Sequence, residues 1–162
     1  MNDFNTRNWY SYLTKWQKQL VKVVEDLVKR HQPEKDDLAD YSFLVFPMSK
    51  AYEGFLKKFL FDLNLIDQDI YEGRRFRIGR ALNPDVSRQQ RDKYWLYDNV
   101  AHLCSPETAR EMWTTWLECR NRVFHYFPKD DGLLTFDQAV AKIEKVSHAM
   151  SMAVACYRQH KQ

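Results

Sequence analysis

The chain has 162 residues, with 25 Lys+Arg against 22 Asp+Glu and a formal net charge of +3 at pH 7. Four glycines and five prolines are too few for a turn-dense β fold, while 44 % hydrophobic and 15 % aromatic residues suffice for one buried core and exclude disorder for most of the chain. A balance of +3 is too small to mark a nucleic-acid binder by its size alone.

At the N-terminus, Met1 to Arg7 lack a basic stretch followed by an apolar run, so no signal peptide is expected. No run reaches the roughly 18 apolar residues that a membrane span needs. Apolar residues then fall at Trp9, Leu13, Trp16, Leu20, Val23 and Leu27, in spacings of four and three. This predicts a first helix of about five turns, with Lys15, Lys18, Lys22 and Glu25 on its wet side. Gln32-Pro33-Glu34-Lys35-Asp36-Asp37 breaks it. A second seam runs through Tyr41, Val45, Met48, Tyr52, Phe55, Phe59 and Leu63, with a kink or a helix restart expected at Pro47.

Residues 64–104 lose periodicity and read as a long irregular connection with one short helix. Ser105-Pro106-Glu107 is a helix start: a hydroxyl cap, proline at the first helical position and an acid in the first turn. This third long helix carries Met112, Trp113, Trp116, Leu117, Val123 and Phe124 and should end near Phe127-Pro128. A turn follows at Lys129-Asp130-Asp131-Gly132. Thr135 and Gln138 then have capping-box spacing, ahead of a last seam through Phe136, Val140, Ile143, Val146, Met150, Val154 and Tyr157. The expectation is a single all-α domain over 1–162, a bundle of long helices running up and down where the loops are short. Cys104, Cys119 and Cys156 are odd in number and form no CxxC, which predicts free thiols and a cytoplasmic protein.

The third long helix holds the anomaly. At 100° per residue with Arg120 at zero, Trp113, Trp116, Leu117 and Phe124 fall at about 20°, −40°, 60° and 40°. Arg120 therefore sits in the middle of an apolar stripe, where an unpaired buried guanidinium would be costly. A carboxylate neutralises it inside the bundle, or the stripe faces a cleft or a partner subunit. Asn121 and His125, on the stripe's edge, can converge with Arg120 on one patch.

Arg120-Asn121-Arg122-Val123-Phe124-His125 resembles the Arg-x(4–6)-His motif of HEPN domains, including the polar Asn after the Arg, and falls in the C-terminal half of the third long helix as in HEPN ribonucleases. Ser49-Lys50-Ala51-Tyr52-Glu53-Gly54-Phe55-Leu56-Lys57, followed by Ile78-Gly79, is similar to the HEPN domain of RNase LS-type toxins, over roughly residues 41–157. The resemblance implies a HEPN-like four- to five-helix bundle. It also implies a metal-independent endoribonuclease of toxin–antitoxin or phage-defence type, working as a homodimer and covered by an antitoxin protein. His125 would be the base that takes the 2′-OH proton, Arg120 the phosphate clamp, Asn121 a positioning group and Glu53 the paired glutamate. Imidazole suits proton abstraction near neutral pH, and a permanently charged planar guanidinium suits a phosphate gaining negative charge. The products would carry a 2′,3′-cyclic phosphate.

Structural readings stand beside this one. Arg120 and Glu53 could form a structural ion pair, His125 could be a core-edge histidine, and Glu53 could pair with Lys50 or Lys57 along its own helix. The alternative functions are a non-catalytic HEPN-like dimer that binds RNA, a nucleotide or a protein, and a plain dimeric bundle.

Residues 74–93 carry Arg74, Arg75, Arg77, Arg80, Arg88, Arg91 and Lys93 against Asp85 and Asp92, a net of +5 that leaves the rest of the chain at −2. Such a patch attracts RNA backbones, and Phe76, Tyr94, Trp95 and Tyr97 could stack on bases; the alternative is a solvated loop whose aromatics cap the bundle. If the chain handles RNA, this segment should lie beside Arg120 and His125. Metal and cofactor chemistry are not expected: His31, His102, His125, His148 and His160 show no ligand spacing, His102-x-Cys104 is too short for a zinc site, and no phosphate-binding loop or nucleophile elbow occurs.

Overall fold

The computed structural model describes residues 3–34, 37–128 and 132–161, and these residues fold as helices joined by turns, without a β-strand among them. Two short 3₁₀ turns, Phe4–Thr6 and Tyr10–Tyr12, come first. Helix α1 spans Lys15–His31 and opens on a capping box, the Thr14 hydroxyl accepting from the Gln17 amide while the Gln17 side chain accepts from the Thr14 amide. The helix therefore begins later than the apolar seam suggested, and Trp9 and Leu13 enter the core from the preceding turns. The buried face is also displaced by one position: Gln17, Val21, Val24 and Val28 point inward, whereas Trp16 is 73 % exposed. The seam had been phased on two residues that lie outside the helix. Gln17 is buried against α2 at Gly54, where a Cβ would stand 2.9 Å from the Gln17 Nε2.

Helix α2, Ser42–Asp62, runs through Pro47 with no restart. Pro47 lies in the second turn, so its missing amide frees only the Phe43 carbonyl. Eleven of its side chains are buried, which makes α2 the central helix of the bundle. The expected long connection holds three short helices, α3 (Gln68–Glu72), α4 (Ile78–Ala81) and α5 (Tyr97–Leu103), and a 3₁₀ turn, Arg88–Gln90. Helix α6, Pro106–Trp116, starts as anticipated, with the Ser105 hydroxyl accepting from the Thr108 amide. A π-helical segment, Leu117–Asn121, follows it, and then a single turn, α7, Arg122–Phe124. The last helix, α8, spans Phe136–His160 behind the Thr135–Gln138 capping box. Lys35, Asp36 and the turn at 129–131 lie outside the described residues.

Contacts between the long helices set their directions. The Tyr12 hydroxyl donates to Asp62, and the His31 ring meets Tyr41 edge-on, so α1 and α2 run oppositely. The Tyr41 amide bonded to the Leu134 carbonyl places the starts of α2 and α8 together. Tyr52 and Ser49 on α2 meet Met112 and Cys119 in turn, so α6 runs against α2. The four long helices alternate up and down. No described helix is long and apolar enough to cross a membrane.

The cysteine expectation is corrected. Cys104, just after α5, forms a disulfide with Cys156 of α8 across 5.4 Å between their Cα atoms. A sequence separation of 52 hides this pairing, since nothing local links α5 to the far half of α8. Free thiols can no longer support a reducing compartment. Only Cys119 is free among the described cysteines, and burial pushes its thiol up to about 11. With reductant absent, we expect the native chain to show no thiol reactive to Ellman's reagent at pH 8. The unfolded chain should show one, and the unfolded reduced chain three. More than one reactive thiol before reduction would rule out the bridge.

Asp40 ties two helix starts together. Its carboxylate accepts from the Ser42 amide and hydroxyl (2.9 and 2.7 Å) and from the Leu134 amide (3.1 Å). Partial burial pulls its pKa upward, but these three hydrogen bonds outweigh burial and hold the carboxyl below its usual range. Asp40 therefore contributes stability above the unfolded carboxylate's pKa, and that contribution is lost as pH falls through the folded value. Asp40→Ala should destabilise by about 1 kcal/mol at neutral pH, with the gap to wild type closing in acid, as read from urea melts across pH.

Candidate active site

The π segment places the site. In a π turn the amide bonds five residues back, and here the Arg122 amide reaches the Leu117 carbonyl. The turn is held by donors from neighbouring helices. The Ser49 hydroxyl of α2 donates to the Cys119 carbonyl at 2.7 Å, and the Lys142 ammonium of α8 to the Glu118 carbonyl at 3.0 Å. One turn along α2, the buried Tyr52 hydroxyl donates to the Met112 carbonyl at 3.0 Å. Glu118 is fixed in addition by Lys145 at 2.7 Å.

A cleft of about 320 Å³ opens between α2 and this segment. Ser49, Lys50 and Glu53 line it from α2, with Arg120, Phe124 and His125 opposite. Phe46 and Phe124 meet edge to face at 5.6 Å and form an exposed apolar lip. The Arg120 guanidinium lies over the Trp116 ring, 5.1 Å from its centroid. Among the described residues it has no carboxylate or hydrogen-bond partner, and Glu53 has none either. The structural pair between Arg120 and Glu53 is not formed. Nor does Glu53 pair along its helix: Lys57 donates to the Gly73 carbonyl at 2.5 Å. Burial pulls the Lys57 pKa down, and the charge of Glu53 only partly offsets that.

The structure thus brings Arg120, His125 and Glu53 to one cleft, but not Asn121, which does not line it. The helical wheel assumed 100° per residue as far as His125. The π turn departs from that step, and Asn121 lies within it. The third long helix also stops short of Phe127. His125 follows α7 in extended conformation (φ −114°, ψ 137°) and is exposed, so it is not a core-edge histidine. Trp116, Ser49, Lys50 and Phe46 belong to the cleft or its support, and the sequence reading gave them no site role. A hydroxyl and a phenol at i and i+3 on the buried, otherwise apolar face of α2, Ser49 and Tyr52, are the available signal.

The basic segment packs beside this cleft. A Cβ on Gly79 would stand 2.6 Å from the Trp116 Nε1, so α4 rests on the indole whose face carries Arg120. Its cations divide into two sets. Arg80 is held by Asp92 (3.0 Å) and the Gln90 carbonyl (2.7 Å). Arg91 stacks on Trp95 at 3.8 Å, donates to the Val86 and Pro84 carbonyls, and reaches Asp98 at 4.0 Å. The Lys93 ammonium lies over Tyr94. Arg74, Arg75, Arg77 and Arg88 are exposed, with no hydrogen bond or ion pair among the described residues. Trp95 is covered by Arg91 and donates to the Asn83 carbonyl, so that face of its ring is not open to a base.

No group of His, Cys, Asp and Glu among the described residues could hold a metal ion. No family model, curated protein or solved structure matches the chain. Gly79→Ala tests the contact between α4 and Trp116. Overpacking there should destabilise the fold by about 1–3 kcal/mol, visible as a lower urea midpoint. An unchanged midpoint would show that the indole moves away freely.

Proposed function

We propose that this chain is a HEPN-type, metal-independent endoribonuclease of toxin–antitoxin or phage-defence type, acting as a homodimer. One observation carries the reading: an unpaired arginine and an unpaired glutamate face one cleft with an exposed histidine, and an indole holds the arginine. A fold that needed these charges for stability would have paired them.

In this reading the His125 imidazole takes the proton of an RNA 2′-hydroxyl. The 2′-oxygen bonds to the adjacent phosphorus as the P–O5′ bond breaks, and the leaving 5′-oxygen takes a proton from water. Arg120 stabilises the non-bridging oxygens as charge gathers on them. Glu53 would supply the acidic partner that the resemblance sets with Arg120 and His125, and Lys50 adds a second cation at the cleft wall. A second copy of the chain would cover the apolar lip of Phe46 and Phe124, and an antitoxin protein would block the same opening. Arg74, Arg75, Arg77 and Arg88, with Arg80, Arg91 and Lys93 behind them, would draw the RNA backbone towards the cleft.

The test is cleavage of single-stranded RNA in EDTA, beside a light-scattering mass. We expect a dimer, products ending in 2′,3′-cyclic phosphate, and rate losses of about 10²-fold or more for Arg120→Ala and His125→Ala. Glu53→Gln should lose about tenfold. Either alanine variant cutting as fast as wild type would sink the catalytic assignment. A second reading rests on His125, which no hydrogen bond orients within one protomer: a module that binds RNA without cutting it. RNA bound by wild type with no cleavage under any of these conditions would favour that reading.

A further inference from the structure

A second hollow, of about 240 Å³, lies on the basic segment and not in the cleft. Phe76 and Tyr94 line it, perpendicular to one another with centroids 6.3 Å apart. Arg75 and Arg77, one on each side of Phe76 in the chain, also line it, exposed and without a partner among the described residues. The Arg80–Asp92 ion pair closes its rim, and Asp92 also accepts from the Tyr94 amide at 2.9 Å. The aromatic residues are therefore held by a satisfied pair while two guanidiniums stay free.

We infer that this hollow is a nucleotide subsite: it takes one unpaired base of a single-stranded RNA against Tyr94 and Phe76, with Arg75 and Arg77 on the flanking phosphates. Three features support this over diffuse attraction. Both aromatic residues line a concavity and not a flat surface, with the Lys93 ammonium over the Tyr94 ring, and stacking of a base on an aromatic ring is tolerant of sequence. The two arginines that line it are among those the fold leaves unpaired, whereas Arg80 and Arg91, which could have added charge, are tied into the loop. Finally, α4 joins hollow to cleft: Arg77 and Arg80 flank Gly79, which rests on the Trp116 indole beneath Arg120. A strand anchored in the hollow is thereby led to the scissile position, and the anchor sets where along the RNA the cut falls. The inference rests on the proposed RNA-directed function for the identity of the polymer, but its test reads binding and not cleavage.

The probe is a fluorescein-labelled single-stranded RNA of about a dozen nucleotides, titrated by anisotropy at several salt concentrations. The protein is the full chain carrying His125→Ala to prevent cutting. Tyr94→Ala should weaken binding by about tenfold with the salt slope unchanged, and Tyr94→Phe should restore it. The double variant R75E/R77E should weaken binding by a further tenfold or so compared with R74E/R88E, which makes the same charge change outside the hollow. Equal losses from the two double variants, or Tyr94→Ala binding like wild type, would overturn the subsite, as would the absence of RNA binding at low salt. If the His125→Ala chain binds through the hollow but the wild-type chain never cuts RNA, the subsite stands and the nuclease is removed. Cleavage with binding indifferent to the hollow does the reverse.

Discussion

The hydrogen bond from the buried Ser49 hydroxyl to the Cys119 carbonyl is the contact on which the candidate site depends. In a regular helix that carbonyl would be satisfied along the axis. In the widened turn the ladder slips by one residue and its geometry worsens. External donors compensate. Ser49 and Lys142 bond successive carbonyls of the turn from opposite helices, and Tyr52 bonds the Met112 carbonyl one stage earlier. Each such bond contributes about 1 kcal/mol net, but a buried hydroxyl left without its acceptor would cost more than the bond yields. Tyr52 is wholly enclosed, and burial drives its phenol far above its ordinary pKa, so it stays a neutral donor. The same two α2 residues that hold the turn bracket Lys50 and stand beside Glu53. The clamp and the cleft wall are one stretch of helix, and the cleft cannot change shape without breaking the clamp.

A guanidinium near a core needs either a counter-charge or a face on which to rest. Arg120 takes the second course, over the Trp116 ring. A cation–π contact of this kind stabilises by about 0.5–2 kcal/mol and leaves the N–H donors free, whereas a carboxylate would have consumed them. Gly79 packs closely on the indole nitrogen, where a Cβ would stand 2.6 Å away, so no side chain intervenes. Position and availability of the cation are thus secured by two contacts, neither of which competes with an anion.

Element identity was legible wherever it depended on local chemistry. The capping boxes at Thr14 and Thr135 and the Ser105-Pro106 start are read from four or five adjacent residues, and the central seam of α2 from a repeated period; of these the Thr14 box and its phase were missed because Trp9 and Leu13 imitate a helical seam from 3₁₀ turns. Arg120 stands out because charge on an apolar stripe is anomalous at any resolution of the fold, His125 by its place on the stripe's edge, and Glu53 only through the resemblance to HEPN domains. What was illegible needed two elements at once. The disulfide joins residues far apart in the chain, and the π turn is braced by donors on α2 and α8. Trp116 reads as core in the sequence and is core in the structure. Its second task, carrying Arg120, exists only when α4 is in place behind it.

The charge distribution joins these observations. Twenty-two acidic residues are available to the chain, and the fold uses one of them, Asp92, to fasten Arg80 within the basic segment. Arg74, Arg75, Arg77 and Arg88 remain exposed and unpaired in the same segment, among the described residues. Like charges held together repel, so the arrangement weakens the free protein relative to one with the acids redistributed. A polyanion converts that repulsion into attraction and releases counterions as it binds. Stability alone gives no reason to confine a net of +5 to twenty residues while the remainder of the chain carries −2. Under the proposed function, recognition of a phosphate backbone would supply one, with that segment packed through Gly79 against the indole that carries Arg120.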